Sequence, residues 1–142
     1  MADDISGPID FLLISFDEAS NDGSAGAELL DLVERGIVAL YDVAMIRRTT
    51  DGWEKIDIAA LPNAAGFARF AGAASGLLDD EDLAEAAELL EPGRAGALLV
   101  YENAWARPFV AAALKADARV VAGARIPAET VIEVLDALDA NA

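Results

Sequence analysis

The sequence has 142 residues, of which 55% are hydrophobic and 25% charged, so it is long enough to form one domain around a single core. Ten basic against 26 acidic residues give a net charge of −16, which opposes binding to a phosphate backbone or an anionic membrane surface. The chain contains no cysteine and no histidine. This composition excludes disulfides, thiolate nucleophiles and histidine-based triads or metal sites.

The N-terminal part of the chain predicts three strands around one helix. The strands are predicted at residues 9–16, 37–48 and 53–58. Asp51-Gly52 between the last two is typical of a hairpin turn, because both residues tolerate a positive φ. The helix is predicted over residues 24–35, where leucine and valine fall on one side, and Gly36 is suited to end it.

The C-terminal part predicts two more strands between helices. The strands are residues 97–101, which are apolar throughout and therefore central, and residues 118–122. Helices are predicted at residues 63–76, 80–90, 104–115 and 127–138. Asp79 is placed to cap the second of these helices, since acids near a helix N-terminus are stabilising. The last helix should bury a stripe formed by Val131, Ile132, Val134, Leu135 and Leu138.

The order of these elements predicts an α/β (α+β) fold in a single domain over residues 1–142. Strands that alternate with helices, together with one hairpin, predict a ferredoxin-like mixed sheet with helices packed on it and an added C-terminal α-β-α extension. Asp3 and Asp4 stand where a secretory signal needs basic residues. No apolar run reaches the roughly 18 residues of a membrane helix. We therefore expect a cytoplasmic protein without membrane insertion.

Several segments resemble a known family. They are GPIDFLLISF, LVERGIVALYDVAMIRR, and LEPGRAGALLVYENAWARPF followed by ARIPAETVIEVL. Together they resemble an uncharacterised family of small acidic actinobacterial proteins. The chain is more distantly similar to an uncharacterised bacterial membrane-protein family with a glycine-rich hairpin, matched here by GFARFAGAASGLL. Because that segment is short and contains Arg69, membrane insertion is not implied. The resemblance supports the fold and implies no catalytic residue, because none is established in these families.

Carboxylates are the remaining candidates for catalysis. Asp10, Asp42 and Glu102 lie in or at the ends of predicted strands, where an unpaired charge is costly. One hypothesis is a carboxylate cluster at a sheet edge that binds a cation or acts as an acid–base pair. The alternative is that Asp10 and Glu102 mark strand ends and that Asp42 pairs with an arginine such as Arg47 or Arg125. We favour the alternative, so we predict no catalytic, metal-binding or cofactor-binding residue and no cofactor.

Small and aromatic residues suggest surfaces for self-association. The interface candidates are Phe67, Phe70, Gly72, Gly76, Trp105 and Arg107. The two glycines allow a second helix to approach closely, while tryptophan and arginine are favoured at interface hot spots. The short strand 53–58 should form a lightly charged edge that invites pairing. In the competing interpretation, the segment 64–76 covers the sheet of its own subunit.

These observations predict a non-enzymatic assembly or partner-binding protein that forms a homo-oligomer, with a dimer favoured and a protein partner allowed. Arginines scattered along the chain, rather than in a basic stripe, predict no nucleic-acid binding. Two alternatives remain. A buried apolar cavity with a few polar groups would favour a small-molecule-binding regulatory module, and convergence of Asp10, Asp42 and Glu102 would favour a carboxylate-based, metal-dependent enzyme.

Overall fold

A computed structural model describes residues 5–20, 23–58, 70, 74–119, 121–124 and 126–140. The chain divides into two compact units, Met1–Ala112 and Ala113–Ala142. The assignment of the whole chain to one domain stays a prediction.

The first unit is built on one four-stranded sheet. Its strands are β1 (Ile9–Phe16), β2 (Ala39–Arg48), β3 (Trp53–Ile56) and β4 (Ala95–Glu102). The order across the sheet is β1-β4-β2-β3, and every neighbouring pair is antiparallel. The four strands predicted in this part of the chain are therefore confirmed, and β4 is central as its apolar sequence predicts.

The described residues form four α-helices. They are α1 (Ser24–Glu34), α2 (Asp80–Glu88), α3 (Arg107–Lys115) and α4 (Ala128–Ala140), and short 3-10 turns cover Glu18–Ser20 and Ala104–Ala106. Among the residues that the structure describes, no helix has the length and apolarity that crossing a membrane requires.

Local sequence explains where α2 begins and where α1 ends. The Asp79 carboxylate accepts a hydrogen bond from Asp82 N at 2.9 Å, and the Asp82 carboxylate accepts one from Asp79 N at 3.0 Å. This capping box confirms the predicted start of α2 and satisfies amide groups that the helix leaves unpaired. Gly36 follows α1 with φ of 72°, a left-handed conformation that favours glycine and lets Ile37 N donate to Leu32 O.

The two faces of the sheet carry separate cores. Alternation along β2 directs Val43 and Met45 to one face, which α1 covers through Leu29, Leu30 and Val33. The opposite face holds Ile46 and Leu98, which are covered by Leu83, Ala86 and Ala87 of α2 and by Leu90 just after the helix. These are called the α1 face and the α2 face below.

The α+β class is confirmed, with differences in the sheet and its extension. The sheet is antiparallel rather than mixed, and its interior strands are β2 and β4, whereas a ferredoxin-like sheet keeps its first and third strands inside. The described residues of 118–122 form no strand, and residue 120 lies outside the description. Asp117 ends the preceding helix with φ of 60°, and Val121 is 96% exposed, so this segment leaves its helix without joining a sheet.

The apolar stripe of α4 is exposed. The helix itself confirms the prediction, but its five stripe residues Val131, Ile132, Val134, Leu135 and Leu138 are all exposed. The expectation that they are buried is wrong, because helical periodicity indicates which side of a helix is apolar but not what covers it.

Candidate functional site

Glu102, at the end of β4, is a fully buried carboxylate in a closed hydrogen-bond network. Its Oε2 accepts hydrogen bonds from Gly7 N and Arg107 Nε, both at 2.7 Å. Its Oε1 accepts from the Tyr41 hydroxyl at 3.0 Å and from Arg107 Nη2 at 2.5 Å. Arg107 thus binds the carboxylate through two parallel hydrogen bonds, the bidentate geometry that is strongest for an arginine–carboxylate pair.

This network fixes the ionisation of Glu102. The hydrogen bond from Arg107 lowers the pKa of Glu102 from 4.5 to about 2, helped by Gly7 N and Tyr41 and opposed by burial. The same hydrogen bond raises the pKa of Arg107. A carboxylate that stays ionised far below neutral pH is poorly matched to proton transfer. Its physical role is to anchor the chain before β1 and the start of α3 to the end of β4.

Asp42 is also buried, and the partners of its carboxylate among the described residues are backbone amides. Its carboxylate accepts from Val43 N and Ser75 N at 2.9 Å and from Leu78 N at 2.7 Å. The predicted pairing with Arg47 is wrong, because Arg47 is engaged by Glu18 and Glu54, and the alternative partner at residue 125 lies outside the description. Asp42 therefore fastens residues 75–78 to β2.

Asp10 lies apart from the other two acids. It is opposite Tyr101 on the α1 face, where its Oδ2 accepts from Asn103 Nδ2 at 3.0 Å. Alternation along the strands places Asp42 and Glu102 on the α2 face. Within the described ranges, no group of three or more acidic side chains is placed to hold a metal ion. The convergence that would favour a carboxylate-based enzyme is therefore not formed by these three residues.

The interface candidates have different surroundings. Phe70 is 4% exposed and packs in the core of the α1 face, while Gly76 is exposed with φ of 82° and lies in no helix. Phe67 and Gly72 fall outside the described residues. Trp105 is 64% exposed, and the Arg107 side chain is half-exposed although its guanidinium binds Glu102. The use of any of them in an interface stays a prediction.

The outer edge of β1 is a feature that the sequence interpretation missed. Ile9, Phe11 and Ile14 are each about half exposed, at 53%, 50% and 44%. β1 pairs with β4 along its full length, and no other described strand pairs with it. Its sequence IDFLLISF contains one charged residue, Asp10. A run this apolar resembles an interior strand, so nothing in it marks the position as an edge.

Two concave surfaces lie in the first unit. A cavity of about 390 Å³ is lined mainly by β2, β3 and residues 74–78, with Asp42, Lys55 and Asp57 as its charged groups. A groove of about 360 Å³ lies on the α2 face between β1 and α2. The groove is lined by Phe11, Leu13, Leu78, Asp82, Glu85, Ala86, Leu89 and Val100.

The fold and these contacts define an acidic α+β protein whose two buried carboxylates hold backbone segments together. Residues 5–142 match the model of a family of unknown function (DUF6325), and the chain belongs to this family. The expectation of an uncharacterised family is confirmed, while the actinobacterial origin and the likeness to a membrane-protein family stay predictions. No curated protein and no solved structure matches the chain.

Proposed function

We propose that the chain is a non-enzymatic assembly protein that self-associates, with the dimer as the basic unit. The observation that carries this proposal is the outer edge of β1. An edge strand presents unpaired backbone N–H and C=O groups, and proteins usually shorten, charge or cover such edges. β1 has eight residues, one charge and three half-exposed apolar side chains, so it carries little of this protection.

The distribution of charge supports the same proposal. A net charge of −16 makes two copies repel one another over most of their surfaces. Association is therefore most favourable where the chain has little charge and exposed apolar side chains. β1 meets both conditions, because Ile9, Phe11 and Ile14 accompany the single acid Asp10.

Sedimentation equilibrium of the full chain at physiological salt tests the proposal. We expect a reversible monomer–dimer equilibrium in the micromolar range. Phe11→Lys should weaken the dimer, because it places a charge among the exposed apolar residues of β1. Val121→Lys is the matched control, since it adds the same charge at an exposed apolar residue in the other unit. A wild-type protein that stays monomeric throughout this range contradicts the proposal.

A second candidate is a small-molecule-binding regulatory module, and the cavity beside β2 and β3 favours it. Its volume of about 390 Å³ is within the range of ligand sites, and its apolar lining includes a few polar groups. Native mass spectrometry of protein purified from its own host tests this candidate. A retained small molecule that is released on unfolding would support it, whereas a bare polypeptide mass would contradict it.

A further inference from the structure

We infer that two copies of the chain join β1 to β1 in antiparallel order, with Leu12 on the two-fold axis, to form one continuous sheet. The inference rests on the proposed self-association and adds the interface, its symmetry and its register. It is carried by the hydrogen-bonding direction of each β1 residue, by the side chains on this edge and by the position of its single charge.

The backbone hydrogen bonds establish which β1 residues face outward. Arg48 N donates to Arg94 O at 2.9 Å, and Gly93 N donates to Arg48 O at 2.8 Å. The backbone N–H and C=O groups of Arg48 therefore point toward β4. Along an antiparallel strand, the backbone N–H and C=O groups of successive residues point alternately toward the two neighbouring strands. The even-numbered residues of β4 therefore direct these groups toward β2, and the odd-numbered residues direct them toward β1. The odd-numbered residues of β4 pair with even-numbered residues of β1, so the even-numbered residues direct their backbone N–H and C=O groups toward β4. The hydrogen bond from Asn103 N to Pro8 O, just beyond the strands, follows the same alternation.

The backbone N–H and C=O groups that point away from β4 therefore belong to the odd-numbered residues of β1, Ile9, Phe11, Leu13 and Ser15. With Leu12 opposite its own copy, Ile9 faces the partner's Ser15 and Phe11 faces the partner's Leu13. Every outward residue then meets an outward residue, which an antiparallel ladder requires. A register centred on Leu13 instead would leave Ile9 without such a counterpart. The edge is thus self-complementary about Leu12, as a two-fold interface demands.

The side chains fit the same arrangement. Phe11, which is half exposed, would lie beside the partner's Leu13 on the α2 face, and both residues line the groove between β1 and α2. Asp10 would stand four residue positions from the partner's Asp10, about 14 Å along the strands. That separation exceeds the Debye length of about 8 Å at physiological salt, so the two Asp10 carboxylates are largely screened from one another.

Single-cysteine variants test the register, because the natural chain has no cysteine. In a non-hydrogen-bonded antiparallel pair, the Cα atoms are about 4.5 Å apart, which is within disulfide range. Leu12→Cys should therefore give a disulfide-linked dimer on mild oxidation. Ile14→Cys, which lies on the same face of β1, is the matched control. The two copies of residue 14 would be about 14 Å apart along the strands, so this variant should stay unlinked.

A pair of proline variants tests the backbone contact separately. Leu13→Pro removes an outward N–H without removing a bond to β4, so dimerisation should weaken about tenfold or more. Lys55→Pro is the control on β3, at the opposite edge of the sheet, because the same alternation directs the Lys55 N–H outward. It should leave the dimerisation constant unchanged, and circular dichroism confirms that each variant folds.

The outcomes distinguish this interface from self-association itself. A wild-type dimer that is not linked by Leu12→Cys, or that Leu13→Pro leaves intact, overturns the β1 pairing but retains the proposed function. Linking through Ile14→Cys in place of Leu12→Cys overturns the register. A monomeric wild-type chain overturns both proposals.

Discussion

At the scale of single residues, the two buried acids have a common role. The Glu102 carboxylate accepts hydrogen bonds from Gly7 N and the Arg107 guanidinium. The Asp42 carboxylate accepts hydrogen bonds from the backbone amides of Ser75 and Leu78. Each carboxylate lies on a strand and draws in segments that are distant in sequence. Such contacts stabilise a fold only while the group stays charged and fully hydrogen-bonded, because an unsatisfied buried charge is strongly unfavourable.

Glu102→Gln should reduce the free energy of unfolding at neutral pH by about 2 kcal/mol, since it removes charge-assisted hydrogen bonds to a buried group. The pKa of Glu102 is lowered from 4.5 in the unfolded chain to about 2 in the fold. Its stabilisation is therefore fully present above pH 4.5 and is lost as pH falls toward 2. The difference in stability between wild type and variant should shrink across that interval.

Urea denaturation at a series of pH values measures this difference. Glu18→Gln is the matched control, because Glu18 pairs with Arg47 in a more exposed setting. Exposed pairs contribute about 0–1 kcal/mol, so this variant should change stability little at any pH. If the difference in free energy of unfolding between wild type and Glu102→Gln stays constant from neutral pH to pH 2, Arg107 does not hold the Glu102 carboxylate ionised in the wild-type fold.

At the scale of elements, local signals were sufficient for some features and insufficient for others. The hairpin between β2 and β3 forms where the sequence predicts it, although neither Asp51 nor Gly52 adopts the positive φ that the pair tolerates. The start of α2 depends on the neighbouring Asp79, so the sequence predicts it. The edge position of β1 depends on which strand β4 pairs with on each side. That choice is made by contacts between distant segments, and an apolar run such as β1 is compatible with either position.

The same distinction applies to the candidate site. Burial of Glu102 and Asp42 could be anticipated, because Asp42 is followed by the apolar residues 43–46 in β2 and Glu102 ends the apolar strand β4. The partners could not be predicted from spacing. Asp42 binds the amides of Ser75 and Leu78 more than thirty residues away, and Arg107 reaches Glu102 through the turn that begins α3. Backbone donors have no sequence signature, so the search for a charged partner of Asp42 could name Arg47, which binds Glu18 and Glu54 instead, but not the amides of Ser75 and Leu78.

Gly96 in β4 tests the packing between elements. A Cβ at this position would lie 2.9 Å from Cδ1 of Leu90, which follows α2, and 3.0 Å from Cδ1 of Leu13 in β1. Gly96→Ala should therefore destabilise the fold by about 1–3 kcal/mol, because those side chains must move in a packed core. Gly52→Ala is the control, since a Cβ there meets no atom within 4 Å. Thermal denaturation measures both, and equal stability of the two variants would contradict this packing.

At the scale of the whole molecule, charge and exposed apolar surface oppose one another. Each copy carries a net charge of −16, while apolar side chains of β1, Trp105 and the stripe of α4 are exposed to solvent. Repulsion between copies extends over a Debye length, whereas backbone pairing and apolar contact act only at short range. Ionic strength therefore acts mainly on the repulsion.

Self-association should strengthen as salt is added. The Debye length falls from about 30 Å at 0.01 M to about 8 Å at 0.15 M, so repulsion between two acidic copies weakens across this interval. Sedimentation equilibrium at increasing sodium chloride should therefore give a falling dissociation constant for the dimer. Val121→Lys lowers the net negative charge by one and should show a slightly weaker salt dependence than wild type. A dimer that dissociates as salt rises would instead indicate ion pairs across the interface that involve charged groups beside β1, such as Arg94, whose Nε donates to the Ser15 hydroxyl.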